Sequence, residues 1–302
     1  MRSEFIEVIH KNTDILSQQN HQEYQYIPLH DKPLPSVRVL KRIIDLLRSL
    51  VFPGYFGDTI VNLDNLKCHI GVELEELYIL LTEQINHGIC FDNPKEECFL
   101  FRNLSQEKAI SFINSIPEIK RIISTDVKAT FDSDPAAKSY SEVIFSYPTI
   151  KAVFNHRISH ELLKLNVPVL PRIISELAHS ETGIDINPGA QIGEFFSIDH
   201  GTGVVIGETT IIGNHVRIYQ GVTLGAKRFE FDNSGNPINI PRHPIIEDNV
   251  VIYANANVLG RITIGKNSVI GGNVWLISSV PADSHIQQQK AISSSYYDGL
   301  GI

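Results

Sequence analysis

Hydrophobic residues in the first half of the chain recur at helical spacing. One face of a predicted helix carries Leu40, Ile43, Ile44, Leu47 and Val51. Two later stretches repeat the pattern, at Leu74, Leu77, Tyr78 and Leu81 and at Ile150, Val153, Phe154, Ile158 and Leu162. Gly183 follows the last helical stretch, and glycine is a typical residue just beyond a helix end. The pattern therefore predicts helices up to this point.

From residue 185 the hydrophobic period becomes six. The aliphatic positions that share it, across one two-residue slip and one long break, are Ile186, Ile192, Ile198, Ile206, Ile212, Ile218, Leu224, Ile246, Ile252, Val258, Ile264, Ile270 and Leu276. A second inward position is predicted four residues after each, for example at Thr202. Six residues per flat side are typical of a parallel β-helix. A β-sandwich is the alternative, but its strands would alternate with period two.

Glycine or a small polar residue often follows the aliphatic position, as at Gly207, Gly213 and Gly265. We expect these residues near the corners of the coil, where a strained backbone is easiest for glycine.

The two periods divide the chain into an α+β protein, with an N-terminal all-α domain followed by a parallel β-helix. We predict a polar N-terminal segment at residues 1–30, which is either flexible or packed on the rest. The helical domain is predicted at 31–183, the β-helix at 184–281 and a C-terminal tail at 282–302. Residues 226–245 interrupt the period and predict a long extruded loop. Insertions in solenoids usually protrude on the functional face.

Composition excludes several classes of protein. The 302 residues carry 26 basic and 34 acidic side chains, a net charge of −8, which argues against a general nucleic-acid binder. No apolar run approaches the ~20 residues of a membrane span, and the N-terminus lacks the apolar core of a signal peptide. Cys68, Cys90 and Cys98 give neither a disulfide framework nor a zinc ribbon. We therefore expect a reduced, cytoplasmic protein.

Four motifs carry the chemistry. Asp-Ile-Asn-Pro-Gly-Ala-Gln-Ile-Gly starts at Asp185, and residues 198–209 read Ile-Asp-His-Gly-Thr-Gly-Val-Val-Ile-Gly-Glu-Thr. Asp-Pro-Ala lies at 134–136 and Arg-His-Pro at 242–244. Together these motifs closely resemble those of serine O-acetyltransferases, the hexapeptide-repeat acyltransferases of cysteine biosynthesis. The resemblance covers residues ~125–280. It implies a left-handed β-helix, trimers through the β-helices, and hexamers when the helical domains pair.

The resemblance also implies the reaction. Acetyl would pass from acetyl-CoA, a co-substrate, to the hydroxyl of L-serine, giving O-acetylserine and CoA, with no permanently bound cofactor. His200 matches the general base, a role that suits an imidazole because its pKa lies near neutrality. Asp185 matches the aspartate that orients this histidine.

Further residues match the family's substrate sites. Asp134 and Asp199 would bind the serine ammonium group, and Arg242 with His243 would hold its carboxylate. Positions implied to line the acetyl-CoA groove between adjacent subunits are Gly225, Ala226, Ala254 and Gly272. Pro241 stands where the family usually has an aspartate, and the segment after Pro281 lacks the usual Gly-x-Pro-Ala.

The C-terminus suggests a partner. Ile302 resembles the family's terminal isoleucine, which inserts into O-acetylserine sulfhydrylase; a frayed end is the alternative. Lys290 could reach a CoA phosphate, although a plain surface lysine is the simpler interpretation. Because free cysteine carries the same ammonium and carboxylate groups as serine, the resemblance also implies feedback inhibition by cysteine.

Three other functions fit the sequence less well. A sugar or xenobiotic O-acetyltransferase would share the fold but usually lacks the helical domain and its Asp-Pro-Ala. A γ-class carbonic anhydrase needs three metal-binding histidines, and His200, His215 and His243 lack the spacing. His156 and His160 lie on one helical face, as half a zinc site would, but packing is the favoured interpretation. A non-catalytic scaffold is disfavoured by the intact catalytic motifs.

Overall fold

A computed structural model describes residues 2–17, 32–57, 59–93 and 95–289. Within them, seven α-helices precede fourteen short strands. The helices are α1 (Arg2–Ser17), α2 (Val37–Val51), α3 (Leu66–Asp92), α4 (Arg102–Ser133), α5 (Tyr140–Ser146), α6 (Pro148–Lys164) and α7 (Leu170–Thr182). A 3₁₀-helix, Cys98–Phe101, lies between α3 and α4. The α1 helix falls in the segment predicted to be polar.

Local signals explain where the helices begin and end. Ser36 caps α2, because its hydroxyl accepts a hydrogen bond from the N–H of Val39. Helix α6 begins with Pro148, whose fixed φ suits the first turn. Gly183 ends α7 with a left-handed φ of 69°, as predicted. The predicted apolar face of α2 is buried in the helical core.

All of the strands pair in parallel and form a three-sided solenoid. Face 1 contains β1 (Asp185–Ile186), β4 (Val205–Ile206), β7 (Thr223–Gly225), β10 (Asn257–Leu259) and β13 (Trp275–Leu276). Face 2 contains β2 (Gln191–Ile192), β5 (Ile211–Ile212), β8 (Ile245–Ile246) and β11 (Thr263–Ile264). Face 3 contains β3 (Ser197–Asp199), β6 (Arg217–Tyr219), β9 (Val251–Ile252), β12 (Val269–Ile270) and β14 (His285–Ile286). The predicted architecture, helices followed by a parallel solenoid, is confirmed.

The aliphatic residues that share the six-residue period form the core of the solenoid. Ile186 pairs with Ile206 and Ile206 with Leu224, so the predicted aliphatic side chains stack from coil to coil. Every predicted aliphatic position is buried except Ile192, which is half-buried. The second inward position is wrong at Thr202, which is exposed. Val204 is buried there instead, because the two-residue slip lengthens this corner.

The glycines that follow the aliphatic residues are explained by packing between coils. A Cβ at Gly213 or Gly265 would overlap the backbone of the next coil. The left-handed corner conformations fall elsewhere, often on asparagines such as Asn255 and Asn267. The expectation that corner strain selects these glycines is therefore wrong, and close approach of the backbones replaces it.

A buried ion pair joins the helical domain to the first coil. Arg157 on α6 binds Asp126 on α4 through two hydrogen bonds of 3.1 Å, and both side chains are buried. The guanidinium also donates to the carbonyls of Ile192 and Gly193, while Asp126 accepts from the N–H of Phe196. Burial raises the pKa of Asp126 to about 6, against the opposing effect of Arg157.

The cysteines differ from what the sequence predicts. A disulfide joins Cys90 and Cys98, whose Cα atoms lie 5.5 Å apart. The expectation of reduced cysteines is wrong for this pair, because the end of α3 and the following 3₁₀-helix bring them together.

The extruded loop occupies residues 226–244, between β7 and β8, and contains an antiparallel bridge between Phe231 and Pro237.

Candidate active site

The Asp-Pro-Ala motif lies at the end of helix α4. Oδ2 of Asp134 accepts a 2.6 Å hydrogen bond from the Tyr147 hydroxyl, and Oδ1 accepts one of 2.8 Å from the N–H of Ala136. These bonds, the one from Tyr147 first, hold the pKa of Asp134 below its ordinary value, so the group is ionised at neutral pH. The same bond raises the pKa of Tyr147 to about 12, which keeps the phenol protonated.

His200 lies at the corner between β3 and β4. Its φ of 57° is left-handed, which is uncommon for a residue other than glycine. The side chain is 76% exposed, and its Nε2 lies 3.9 Å from Oδ1 of Asp199. Among the described residues, no hydrogen bond occupies the imidazole. Both ring nitrogens are therefore open to hydrogen bonds with an incoming molecule.

Arg217 lies one coil further on and connects the end of α4, which carries Asp134, with Asp199, the neighbour of His200. Its Nη2 donates to Oδ2 of Asp199 at 3.0 Å and to the carbonyl of Ser133, next to Asp134, at 2.6 Å. The guanidinium also lies over the Tyr219 ring, 4.8 Å from its centroid. We refer to Asp134, Tyr147, Asp199, His200 and Arg217 as the His200 cluster.

The Arg-His pair forms a second cluster where the extruded loop rejoins the solenoid. Nη2 of Arg242 donates to Glu208 at 2.7 Å. Nδ1 of His243 lies 3.1 Å from the N–H nitrogen of Thr209 and 2.9 Å from its hydroxyl oxygen. Nη1 of Arg261 donates to the carbonyls of Thr209 and His243. These five residues, Glu208, Thr209, Arg242, His243 and Arg261, are called the His243 cluster.

The two histidines differ in their electrostatics. His243 is 7% exposed, and its ring lies where a Cβ at position 207 would be, so only glycine fits there. Burial, helped by the positive charge of Arg242, lowers the pKa of His243 to about 4. The ring is therefore neutral at physiological pH.

The clusters lie at opposite edges of face 1. The His200 edge is the corner between faces 3 and 1, where backbone hydrogen bonds run from Asn255 to Gln220 and from Asn273 to Ala254. The His243 edge is the corner between faces 1 and 2, and β4 separates it from His200. Within the described part of the chain, no hydrogen bond or ion pair links the two clusters.

A cavity of about 350 Å³ lies between the extruded loop and the solenoid on the His243 edge. Its lining is rich in cations: Lys227, Arg228, Arg242 and Arg261. Such a lining suits an anionic group.

Comparison with known proteins gives the family. Residues 243–278 match the family described as "Bacterial transferase hexapeptide (six repeats)". The chain is 49% identical over 276 residues to a plasmid-encoded serine acetyltransferase of Synechococcus elongatus, covering 89% of this chain and 86% of that protein. The chain belongs to the serine acetyltransferase family. A serine acetyltransferase of Staphylococcus xylosus is 51% identical over 168 residues, which are 56% of this chain and 74% of that protein.

Solved serine acetyltransferases share the fold. Serine acetyltransferase 1 of Entamoeba histolytica, solved in complex with L-cysteine, matches with a TM-score of 0.71 and 32% identity, over 92% of this chain and 96% of that one. The Neisseria gonorrhoeae enzyme in complex with serine matches with a TM-score of 0.54 and 26% identity, over 83% and 97%. The hexapeptide match is consistent with a left-handed β-helix.

Asp185 lies on β1 and, among the described residues, makes no hydrogen bond or ion pair with His200. Its carboxylate instead lies within 4.8 Å of ligand atoms of Glu176 and His179, in the one group of three potential metal ligands within the described residues. These side chains are partly exposed, and the group carries no further sign of a metal. The predicted pairing of Asp185 with His200 stays a prediction.

The positions implied for acetyl-CoA fall on both edges of face 1. Ala254 and Gly272 share the His200 edge, where a Cβ at 272 would lie 3.2 Å from the carbonyl oxygen of Ala254. Gly225 ends β7 and Ala226 opens the extruded loop, both on the His243 edge. Lys290 and Ile302 lie outside the described residues.

Among the described residues, the helical histidine pair belongs to no group of three potential metal ligands. His156 is buried with neither ring nitrogen hydrogen-bonded, and Nδ1 of His160 bonds the carbonyl of Pro188. Tyr147, Arg217 and Arg261 were not predicted, because no motif includes them, and Thr209 ends the motif at 198–209 but was given no role. Across the described residues, every helix is too short or too polar to cross a bilayer.

Proposed function

We propose that this serine acetyltransferase transfers acetyl from acetyl-CoA to the L-serine hydroxyl, with His200 as general base and no permanently bound cofactor. The observation that carries the proposal is the pair of complementary clusters at opposite edges of one exposed face. One edge offers carboxylates and a free imidazole, and the other offers an arginine and a neutral histidine. A zwitterionic amino acid needs both.

The hydroxyl of serine needs a base because a neutral alcohol is a poor nucleophile near pH 7. His200 would remove its proton as the oxygen attacks the thioester carbon, and CoA would leave as the thiol. Such a base contributes about 10²–10⁴-fold to the rate. Asp185, or Asp199 at 3.9 Å, would stabilise the imidazolium that forms.

The ends of serine would be held by opposite charges. Asp134 and Asp199 would bind the ammonium group, and the ionised state of Asp134 suits this role. Arg242 and His243 would bind the carboxylate. Nε of Arg242 makes no hydrogen bond within the described residues, so part of its fork is available. Holding both ends positions the hydroxyl at the base.

A complete site would need two copies of the chain. In a cyclic trimer, the His200 edge of one subunit would face the His243 edge of the next. Acetyl-CoA would lie in the resulting groove, along Ala254 and Gly272 from one copy and Gly225 and Ala226 from the other. A dimer of trimers through the helical domains is the proposed larger assembly.

Mixed trimers test this arrangement. At a serine concentration near the wild-type KM, His200→Ala and Arg242→Ala should each be nearly inactive alone, in a thiol-release assay with serine, homoserine and a galactoside as acceptors. Co-expressed in equal amounts, they should regain about a quarter of wild-type activity, because each mixed ring contains one intact site. His200→Ala mixed with Asp199→Ala is the control: both changes lie on one edge, so the mixture should not exceed the mean activity of the two variants measured alone. Absence of recovery in the first mixture would overturn the two-copy site.

Two regulatory roles are proposed for the same protein, which would act in the cytoplasm. Cysteine would compete with serine, since it carries the same ammonium and carboxylate; the Entamoeba histolytica relative was solved with L-cysteine. Ile302 would bind O-acetylserine sulfhydrylase through its carboxylate and apolar side chain. Removing Ile302 should abolish co-purification with the sulfhydrylase while acetyl transfer continues. A truncated chain that still co-purifies would refute the role of the tail.

A further inference from the structure

The Thr209 hydroxyl uses its whole hydrogen-bonding capacity on the Arg-His pair. Its oxygen accepts from the main-chain N–H of Arg242 at 2.9 Å and of His243 at 3.1 Å. The same oxygen lies 2.9 Å from Nδ1 of His243. A hydroxyl has one proton to donate and two lone pairs to accept with. Because both lone pairs are used, the proton is directed at Nδ1.

This arrangement determines the tautomer of His243. Nδ1 also faces the main-chain N–H of Thr209, which can only donate. Two donors therefore point at Nδ1, so that nitrogen is unprotonated and Nε2 carries the hydrogen. His243 is thus a neutral imidazole that carries its hydrogen on Nε2, and its ring packs over Gly207, whose missing side chain leaves room for it.

Arg261 supports the same unit from the other side. Its Nη1 donates to the carbonyl of Thr209 at 2.6 Å and to that of His243 at 2.9 Å. Arg261 lies on the coil that follows β10, so it ties the motif at 207–209 and the end of the loop to a third segment. The two main-chain N–H groups bound by Thr209 and the His243 carbonyl bound by Arg261 fix the main chain of the Arg-His pair.

We infer that Thr209 and Arg261 are positioning residues, which hold Arg242 in place and fix His243 as an Nε2–H donor for the substrate carboxylate. This inference rests on the proposed role of Arg242 and His243 in binding serine. Neither Thr209 nor Arg261 needs to touch the substrate. Their effect should therefore appear as weaker serine binding with the chemical step largely kept.

Isosteric and conservative substitutions test Thr209. Thr209→Val keeps the shape and removes the hydroxyl, and we expect it to raise the KM for serine at least tenfold while kcat falls less than threefold. Thr209→Ser restores the hydroxyl and should return KM to within about twofold of wild type. Thr263→Val, at a half-buried strand position whose hydroxyl makes no hydrogen bond among the described residues, is the matched control. An unchanged serine KM in Thr209→Val would overturn the inference.

Arg261 provides a second test that leaves the His243 ring contacts intact. Arg261→Met should raise the serine KM about fivefold, with the KM for acetyl-CoA changed less than twofold. If Arg242→Ala itself leaves the serine KM unchanged, the proposed carboxylate site fails. If Arg242→Ala raises it and neither Thr209→Val nor Arg261→Met does, only the positioning role fails.

A spectroscopic readout separates tautomer control from loss of folding. In ¹⁵N-histidine-labelled protein, the His243 signals, assigned by their loss in His243→Gln, should show an unprotonated Nδ1 from pH 5.5 to 8. The charged groups around the ring are Arg242, Glu208 and Arg261, and none of them changes in Thr209→Val. In that variant a detectable share of protonated Nδ1 should appear by pH 5.5. A protonated Nδ1 in the wild type at pH 7 would overturn the assignment.

Discussion

His200 and His243 lie at opposite edges of the same sheet, and their surroundings differ in each respect that sets the chemistry of an imidazole. His200 is 76% exposed, takes a left-handed backbone conformation, and has carboxylates nearby. His243 is 7% exposed, has two donors on one nitrogen, and stays neutral because burial lowers its pKa to about 4. The difference suits the two roles proposed for one residue type, a base at one edge and a hydrogen-bond donor at the other.

Exchanging each ring for an amide gives the largest expected contrast. Glutamine can donate a hydrogen bond but cannot act as a base near neutral pH. His200→Gln should therefore lower kcat by roughly 10²–10⁴-fold, while His243→Gln should keep most of kcat and mainly raise the serine KM. Steady-state kinetics with serine and acetyl-CoA measure both effects.

His215 supplies the control for this contrast. It also lies at a corner with a φ of 57°, but its ring stacks on Phe195, away from both clusters. His215→Gln should leave kcat and KM near wild type. If His243→Gln lowers kcat as much as His200→Gln does, the assigned roles of the two rings are wrong.

A smaller effect is expected from the contact between the helical domain and the first coil, because, of the two clusters, only the His200 cluster includes residues of that domain. Asp134 reaches the His200 edge from the end of α4, and the Asp126–Arg157 pair joins that helix to the first coil. Asp126→Asn leaves a buried guanidinium without its charge partner, and we expect it to lower the free energy of unfolding by about 3–5 kcal/mol. Urea unfolding measures this change.

An exposed ion pair on the same helix is the control for that measurement. Glu118 and Arg121 lie 2.8 Å apart, both about half exposed, and Glu118→Gln should change the free energy of unfolding far less than Asp126→Asn does. Equal effects of the two substitutions would contradict the view that the buried pair joins the domains.

Much of the fold could be predicted because its signal repeats. Each coil adds another aliphatic residue in phase, so errors at single positions such as Thr202 do not change the architecture. The motifs also named the residues at the centre of both clusters. Their supports were not predictable in the same way, because Arg217, Thr209 and Arg261 contact partners up to 84 residues away. Those contacts depend on coil register, which a linear motif does not encode.

The extruded loop leaves and re-enters the solenoid at fixed points. The carbonyl of Gly225 accepts from the N–H of Gly260 at its start, and that of Pro244 accepts from Ile211 at its end. The solenoid therefore fixes both ends of the loop, whatever conformation the residues between them adopt. A change of sequence or length between these two anchors should therefore leave the backbone position of Arg242 and His243 unchanged.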